Sequence, residues 1–357
     1  LASITNRILL IAPQWIGDAV MTEPLVRSLR ALGASLTVAA LPHIAPVYSA
    51  MSGIDQITQW SFKRGKLQIK HRWLTAQTLI NQFDQAIICP NSFKAALIPY
   101  FAKIPIRVGY KGEFRSMLLT HTLANPNKHH REPMVQIYKK LAVDANTNEL
   151  QPPLPKLLLD AGNNPVDSQD FPRFSVAKNY VNQTLESFAL VPENYYVLAP
   201  GAEYGPAKRW PLENFVQIAI QEQSKGIHPV ILGSPGDLEA GEIIEEQCKL
   251  AHVEVINLVG KTHLLQAIHI ISSAKFVLSN DSGLMHIAAA LRRPQVAVFG
   301  SSSPLHTPPL SPLAKVLWLG LECAPCFERT CPLGHYKCLK ELTVQQVEAG
   351  IQQVLSG

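Results

Sequence analysis

Arg7-Ile8-Leu9-Leu10-Ile11-Ala12, then helical apolar spacing from Ala19 to Leu32, then Ser35-Leu36-Thr37-Val38-Ala39-Ala40 read as strand, helix and strand. A short unbroken apolar run suits a strand covered on both faces, and two such strands joined by a helix make a βαβ unit. A further strand at Gln85 to Cys89 and a helix after Asn91 extend the alternation, and beyond them the pattern stops. It resumes with a helix from Ala177 to Leu190 and a strand at Tyr195 to Ala199, then a helix around Asn214 to Ser224. A strand at Pro229 to Leu232, a helix from Leu238 to Lys249 and strands at Val255 to Leu258, Lys275 to Ser279 and Gln295 to Phe299 complete the series. Alternation of this kind predicts parallel sheets, hence an α/β chain of two Rossmann-like domains with ligand in the cleft at the carboxyl ends of their strands.

A length of 357 residues is itself more than one core usually accommodates. The Pro-rich, irregular stretch from Gln151 to Pro172 reads as the linker, giving domains 1–172 and 173–357. A final helix, Val344 to Leu355, belongs to the second and is a candidate for packing back on the first. No apolar run approaches the roughly 20 residues that span a bilayer, and Ile8 to Ala12 is too short for a secretory signal, so a soluble, cytoplasmic chain is expected.

Charge is unevenly placed. Residues 1–150 hold 17 Lys/Arg against 8 Asp/Glu, a net +9, and the remainder holds 15 against 19, a net −4, which together give the chain's +5. A basic first half points to an anionic partner there. Lys63, Arg64, Lys66, Lys70 and Arg72 concentrate the charge in one stretch, which fits a phosphate-bearing lipid, a nucleic acid or a solvated loop.

Several strand-to-helix corners carry polar residues. In Asn280-Asp281-Ser282-Gly283-Leu284-Met285-His286 a strand breaks into a helix, whose opening turn offers unpaired N–H groups and the positive end of its dipole. Ser282, Gly283 and Leu284 can therefore cradle a phosphate, flanked by Asp281 and His286, or Asp281 or Ser282 can simply cap the helix. Asp18, in Trp15-Ile16-Gly17-Asp18, is either an N-cap or a carboxylate able to take a proton from a hydroxyl. Gly201 to Pro211 supplies Lys208 and Arg209, donors for a diphosphate or members of a basic surface loop. Glu239, opening the helix after Leu232-Gly233-Ser234-Pro235-Gly236-Asp237, can accept from ribose hydroxyls or decorate a first turn. Neither a Gly-x-Gly-x-x-Gly fingerprint nor a Gly-x-Ser-x-Gly elbow is present, which weighs against dinucleotide oxidoreductase and serine hydrolase chemistry. Cys323, Cys326, Cys331 and Cys338 form C-x2-C-x4-C-x6-C, compatible with a structural metal or with reduced thiols packed in a loop; Cys89 and Cys248 read as core residues.

Taken together, Trp15 to Asp18, Pro90 to Leu97, Arg107 to Arg115, Pro200 to Pro211, Asn280 to Leu291 and Thr307 to Ser311 resemble the heptosyltransferases of lipopolysaccharide inner-core synthesis, glycosyltransferase family 9. The resemblance runs nearly end to end, and Pro90 to Leu97 with Gly201 to Pro211 point to the branch that adds the second heptose. It implies a GT-B fold whose C-terminal domain holds ADP-heptose and whose N-terminal domain holds the acceptor, heptosyl-Kdo2-lipid A. It also implies inverting transfer with Asp18 as base and Lys208 against charge growing on the departing diphosphate. Asp281 would grip heptose hydroxyls, His286 would buttress the phosphate loop, and Glu239 would reach the ribose. Lys94, Lys111 and Arg115 lie in matching blocks and are candidates for acceptor phosphates or Kdo carboxylates, or else have surface or structural roles. No metal or other cofactor is implied for the chemical step, and no nucleic acid; the partner of the basic half becomes an anionic lipid at the cytoplasmic face of a Gram-negative inner membrane. Family members acting on a different core acceptor, and a nucleotide-sugar epimerase of similar architecture, are the alternatives.

Overall fold

The computed structural model describes residues 6–63, 65–126, 131–142 and 171–356. The chain divides into two compact units, Leu1–Lys156 and Leu157–Gly357, whereas the expected division lay after residue 172. Apart from Phe171 and Pro172, the stretch read as a linker lies outside the described residues, as does Arg64 of the basic cluster.

The first unit runs β1 (Arg7–Ile11), α1 (Ile16–Met21), α2 (Glu23–Ala31), β2 (Ser35–Ala40), α3 (Ala45–Ser49), β3 (Gln56–Gln59) and α4 (Ile69–Gln77). It continues with β4 (Gln85–Ile88), α5 (Phe93–Phe101), β5 (Ile106–Tyr110), β6 (His121–Leu123) and α6 (Met134–Lys139). The alternation thus persists past the point at which the sequence pattern fades. All six strands are parallel in the order β3-β2-β1-β4-β5-β6. Ile8, Leu9 and Leu10 are at most 2% exposed, as a central strand covered on both faces demands. The single helix expected from Ala19 to Leu32 is two. The first ends at Thr22, whose hydroxyl bonds back to the Ala19 carbonyl at 2.7 Å, and Pro24, lacking an N–H, fits only a new first turn.

The second unit runs α7 (Lys178–Ser187), β7 (Tyr195–Ala199), α8 (Leu212–Gln223), β8 (His228–Ile231), α9 (Leu238–Leu250), β9 (Ile256–Asn257) and α10 (Leu264–Ser272). Then come β10 (Val277–Asn280), α11 (Gly283–Ala290), β11 (Gln295–Val298), β12 (Ala314–Leu317), α12 (Lys337–Lys340) and α13 (Val344–Ser356). Its parallel sheet has the order β12-β11-β10-β7-β8-β9. Counted from the first strand of each unit, the two windings are the same. In both, the chain first builds outward on one side of its opening strand and then returns to the other. That places a crevice beyond the carboxyl ends of β1 and β4 in the first unit, and of β7 and β10 in the second. The last helix, α13, packs on β11, β12 and α8 of its own unit.

Candidate functional site

The loop leaving β7 is pinned to the end of β10 by Asn280. Its side-chain amide donates to the Pro200 carbonyl at 2.6 Å, and its oxygen accepts from the Trp210 N–H at 3.0 Å. Trp210 is fully buried, anchored at its other end by a 2.9 Å bond from its indole N–H to the Leu342 carbonyl. Between these anchors the loop makes close approaches that only glycine allows: a Cβ on Gly201 would stand 2.5 Å from the Asp237 carboxylate, and one on Gly205 2.5 Å from the Arg329 carbonyl. Opposite, a Cβ on Gly300 would meet the Ala207 carbonyl at 2.6 Å.

The consequence is a fixed position for Lys208, at the end of a 3-10 turn from Pro206. Its ammonium lies 2.5 Å from Asp281 Oδ2, which also accepts from the Ser302 hydroxyl at 2.5 Å. The side chains are 17% and 4% exposed, so the pair faces solvent from the lysine side alone. Asp281 is therefore not a helix cap; its Oδ2 is committed to Lys208 and Ser302. Ser302 was missed in the sequence because nothing local distinguishes it from its neighbours Ser301 and Ser303.

Ser282 occupies the N-cap position of α11 with extended backbone, φ −147° and ψ 174°, but its side chain makes no cap bond and its buried hydroxyl has no partner. The capping alternative is thus excluded for both Asp281 and Ser282. Ser282, Gly283 and Leu284 are half-buried, presenting an uncapped helix start beside Lys208. Two sources of positive potential converge there, the ammonium and the first-turn N–H groups. One turn further in, His286 is buried, and loss of hydration pulls its imidazole down to about 4, with Lys208 adding to the shift and Asp281 opposing it. It is a neutral ring at neutral pH. Glu239 is exposed in the first turn of α9. The sequence reading passed over Asp237, which is buried, accepts from both the backbone N–H and the hydroxyl of Ser234, and faces Gly201.

In the first unit Asp18 is half-buried in the first turn of α1, whose N-cap is Trp15, so the N-cap alternative does not hold for Asp18. It bonds to the Tyr138 hydroxyl; burial, and then the Asp18 charge, hold that phenol well above its ordinary range. Burial does the same to Tyr48, with smaller contributions from Cys89 and Asp18. Asp18 thus bonds to one phenol, Tyr138, that stays protonated.

Of the two roles open to Arg115, the geometry favours the structural one: it is fully buried and its guanidinium donates to the carbonyls of Tyr110 and Pro90 and to Asn91 Oδ1. Burial lowers it to about 10, still charged at neutral pH. Glu113 accepts from the Phe93 N–H at 2.8 Å, and a Cβ on Gly112 would stand 2.9 Å from the Asn91 carbonyl. The segment after β5 therefore clasps the Pro90–Phe93 loop at the crevice of the first sheet. Lys94 is half-buried beside that loop and Lys111 is exposed.

With the geometry in place, comparison with known proteins is informative. Residues 72–337 match the model of glycosyltransferase family 9 (heptosyltransferase). The chain belongs to glycosyltransferase family 9. This family member is 36% identical over 355 residues to lipopolysaccharide heptosyltransferase 2 of Salmonella typhimurium, covering 98% of this chain and 99% of that one. It is 36% identical to the Escherichia coli K12 protein of the same name, covering 96% of each. The solved structure of E. coli ADP-heptose lps heptosyltransferase II superposes with a TM-score of 0.79 at 35% identity, covering 98% of both chains. The two parallel sheets are thus those of the GT-B-like family 9 enzymes, and the chain is a glycosyltransferase.

Proposed function

We propose that this family 9 enzyme transfers L-glycero-D-manno-heptose from ADP-heptose, with inversion, to the first heptose of the lipopolysaccharide inner core, using heptosyl-Kdo2-lipid A as acceptor. Similarity to heptosyltransferase 2 over almost the whole of both chains carries this reading. Chemistry supports it. Inversion requires the acceptor hydroxyl to attack from the face opposite the departing ADP, so the base and the diphosphate grip are separate groups. Asp18 serves as the base, and Lys208 with the uncapped start of α11 receives the charge developing on the diphosphate. These donors supply the positive charge, so the transfer step uses no cofactor. Asp281 holds Lys208 through Oδ2, and Oδ1 serves the heptose hydroxyls. Glu239 takes the ribose, and Lys94 and Lys111 meet acceptor anions.

The acceptor is a lipid, so the enzyme works at the cytoplasmic face of the inner membrane. No helix among the described residues is long and apolar enough to cross a membrane. Contact is instead peripheral, through the first unit. There α4 exposes Ile69, Trp73 and Leu74 beside Lys70, and the segment after β5 exposes Phe114 at 93% and Met117 at 77% close to Lys111. Apolar side chains among lysines suit a surface of anionic headgroups.

Purified protein incubated with ADP-heptose and heptosyl-Kdo2-lipid A should raise the acceptor mass by one heptose; no gain while ADP-heptose binds rejects the reading. Acceptors bearing zero, one and two heptoses separate this activity from other core heptosyltransferases. Acceptor-independent conversion of the donor would mark an epimerase, a reading that the family assignment does not favour.

A further inference from the structure

All six cysteines are free thiols, and four of them share one place. Cys89 and Cys248 are buried singly, each in the core of its own unit. Cys323, Cys326, Cys331 and Cys338 instead line a single small cavity together with His335 and Tyr336. A packing need is met by one sulfur, and nothing in the transfer chemistry uses four. His335 is not the better fourth ligand, because its Nδ1 already accepts from the Lys337 N–H at 3.0 Å.

We infer that these four cysteines bind one thiophilic divalent cation, Zn2+ or Fe2+, as a tetrathiolate site. Either ion accepts four sulfurs in a tetrahedron. Among the described residues no three His, Cys, Asp or Glu side chains stand in ion-holding geometry, so the sulfurs must draw together on the metal. The chain permits it: three of the four cysteines are only half-buried, and Gly334, at φ +71°, has open space where a Cβ would be.

What the ion would hold is specific. The backbone between Cys326 and Cys331 is the backing of the Lys208 loop. Ala207 N–H donates to the Arg329 carbonyl at 3.0 Å, the Tyr204 hydroxyl to the Phe327 carbonyl at 2.5 Å, and Phe327 N–H to the Ser301 carbonyl at 2.7 Å. A metal closing this segment at both ends fixes the carbonyls on which the loop rests. The ion is structural, and its binding is measurable whatever acceptor the enzyme uses.

Protein purified without chelator should carry about one zinc or iron per chain by plasma mass spectrometry, and cobalt(II) exchange should give the intense visible bands of tetrahedral thiolate coordination. Cys326→Ser, at a half-buried position, should lose most of the ion, whereas Glu328→Ala, exposed in the same segment, should keep it. Chelation should speed hydrogen exchange at the Ala207 and Phe327 amides by about tenfold or more. Protein that holds no stoichiometric metal and takes up no cobalt overturns the site. Undiminished metal in Cys326→Ser overturns the ligand set, and unchanged exchange after chelation overturns the bracing of the Lys208 loop.

Discussion

Lys208 Nζ lies 2.5 Å from Asp281 Oδ2, although 73 positions separate the two residues. The contact joins the loop after β7 to the end of β10 at the crevice of the second sheet, so the charge proposed to face the diphosphate is positioned by the same topology that builds the fold. Asp281 is the more deeply buried partner, and it has a second donor in Ser302.

Replacing Lys208 by Met therefore has two effects. It removes the counter-charge to the leaving diphosphate, and it leaves a buried carboxylate with one donor fewer. Turnover should fall by about 10²- to 10³-fold, the usual cost of losing one such group. ADP affinity should fall as well, measured by calorimetry. Retained turnover would remove Lys208 from the mechanism.

Asp18→Asn keeps the shape of the α1 turn while abolishing proton acceptance. Turnover should drop by about 10²-fold or more, with ADP affinity unchanged because the proposed nucleotide grip lies in the other unit. Steady-state kinetics paired with ADP titration separates the two quantities, and a parallel loss of both would mean that Asp18 acts only through folding.

Arg115 discriminates between an anion contact and a structural clasp. Arg115→Met should lower the stability of the first unit by about 3–5 kcal/mol, because several backbone carbonyls and Asn91 lose their donor together. Denaturant unfolding measures it. A variant of normal stability with a raised acceptor KM would favour the acceptor contact instead.

His286 ties stability to pH. Its folded value of about 4 lies below the ordinary 6.5, so between these limits the unfolded chain binds more protons than the folded one. Stability rises with pH across that window and is lost as pH falls from about 6.5 towards 4, by up to about 3 kcal/mol. Urea unfolding at pH 7 and pH 4.5 should show the loss, and His286→Gln should flatten it. An acid limb of equal steepness in the variant would assign the effect to other groups.

Much of the architecture was legible because central parallel strands are written in plain apolar runs: Arg7–Ile11, Tyr195–Ala199 and Val277–Asn280 all fell where expected. Some edge and near-edge strands were not, although Ser35–Ala40, Ile256–Asn257 and Gln295–Val298 were expected close to their places. Gln56–Gln59 and His121–Leu123 are short and half polar, and Ile106–Tyr110 carries Arg107 and Gly109 in mid-strand, so neither length nor alternation marks them. In the site, the helix start at Ser282 could be read from local order. The pairing of Lys208, Asp281 and Ser302 could not, since it depends on which strands lie side by side. The role of Arg115 stayed open for the same reason: a basic residue in a polar stretch can serve a ligand or the fold until the loop it holds, 24 positions away, is known.

The tight contacts at Gly201, Gly205 and Gly300 carry a warning for genetics. A saturation screen of this gene would score side chains at these three positions as loss of function as severe as changes to Lys208, although none of the three performs chemistry. An investigator ranking positions by phenotype would place inert hydrogens among the reactive groups. Only a test that separates soluble yield from turnover would sort them: glycine variants should fail at assembling the loop, whereas lysine variants should accumulate as well-formed, silent protein.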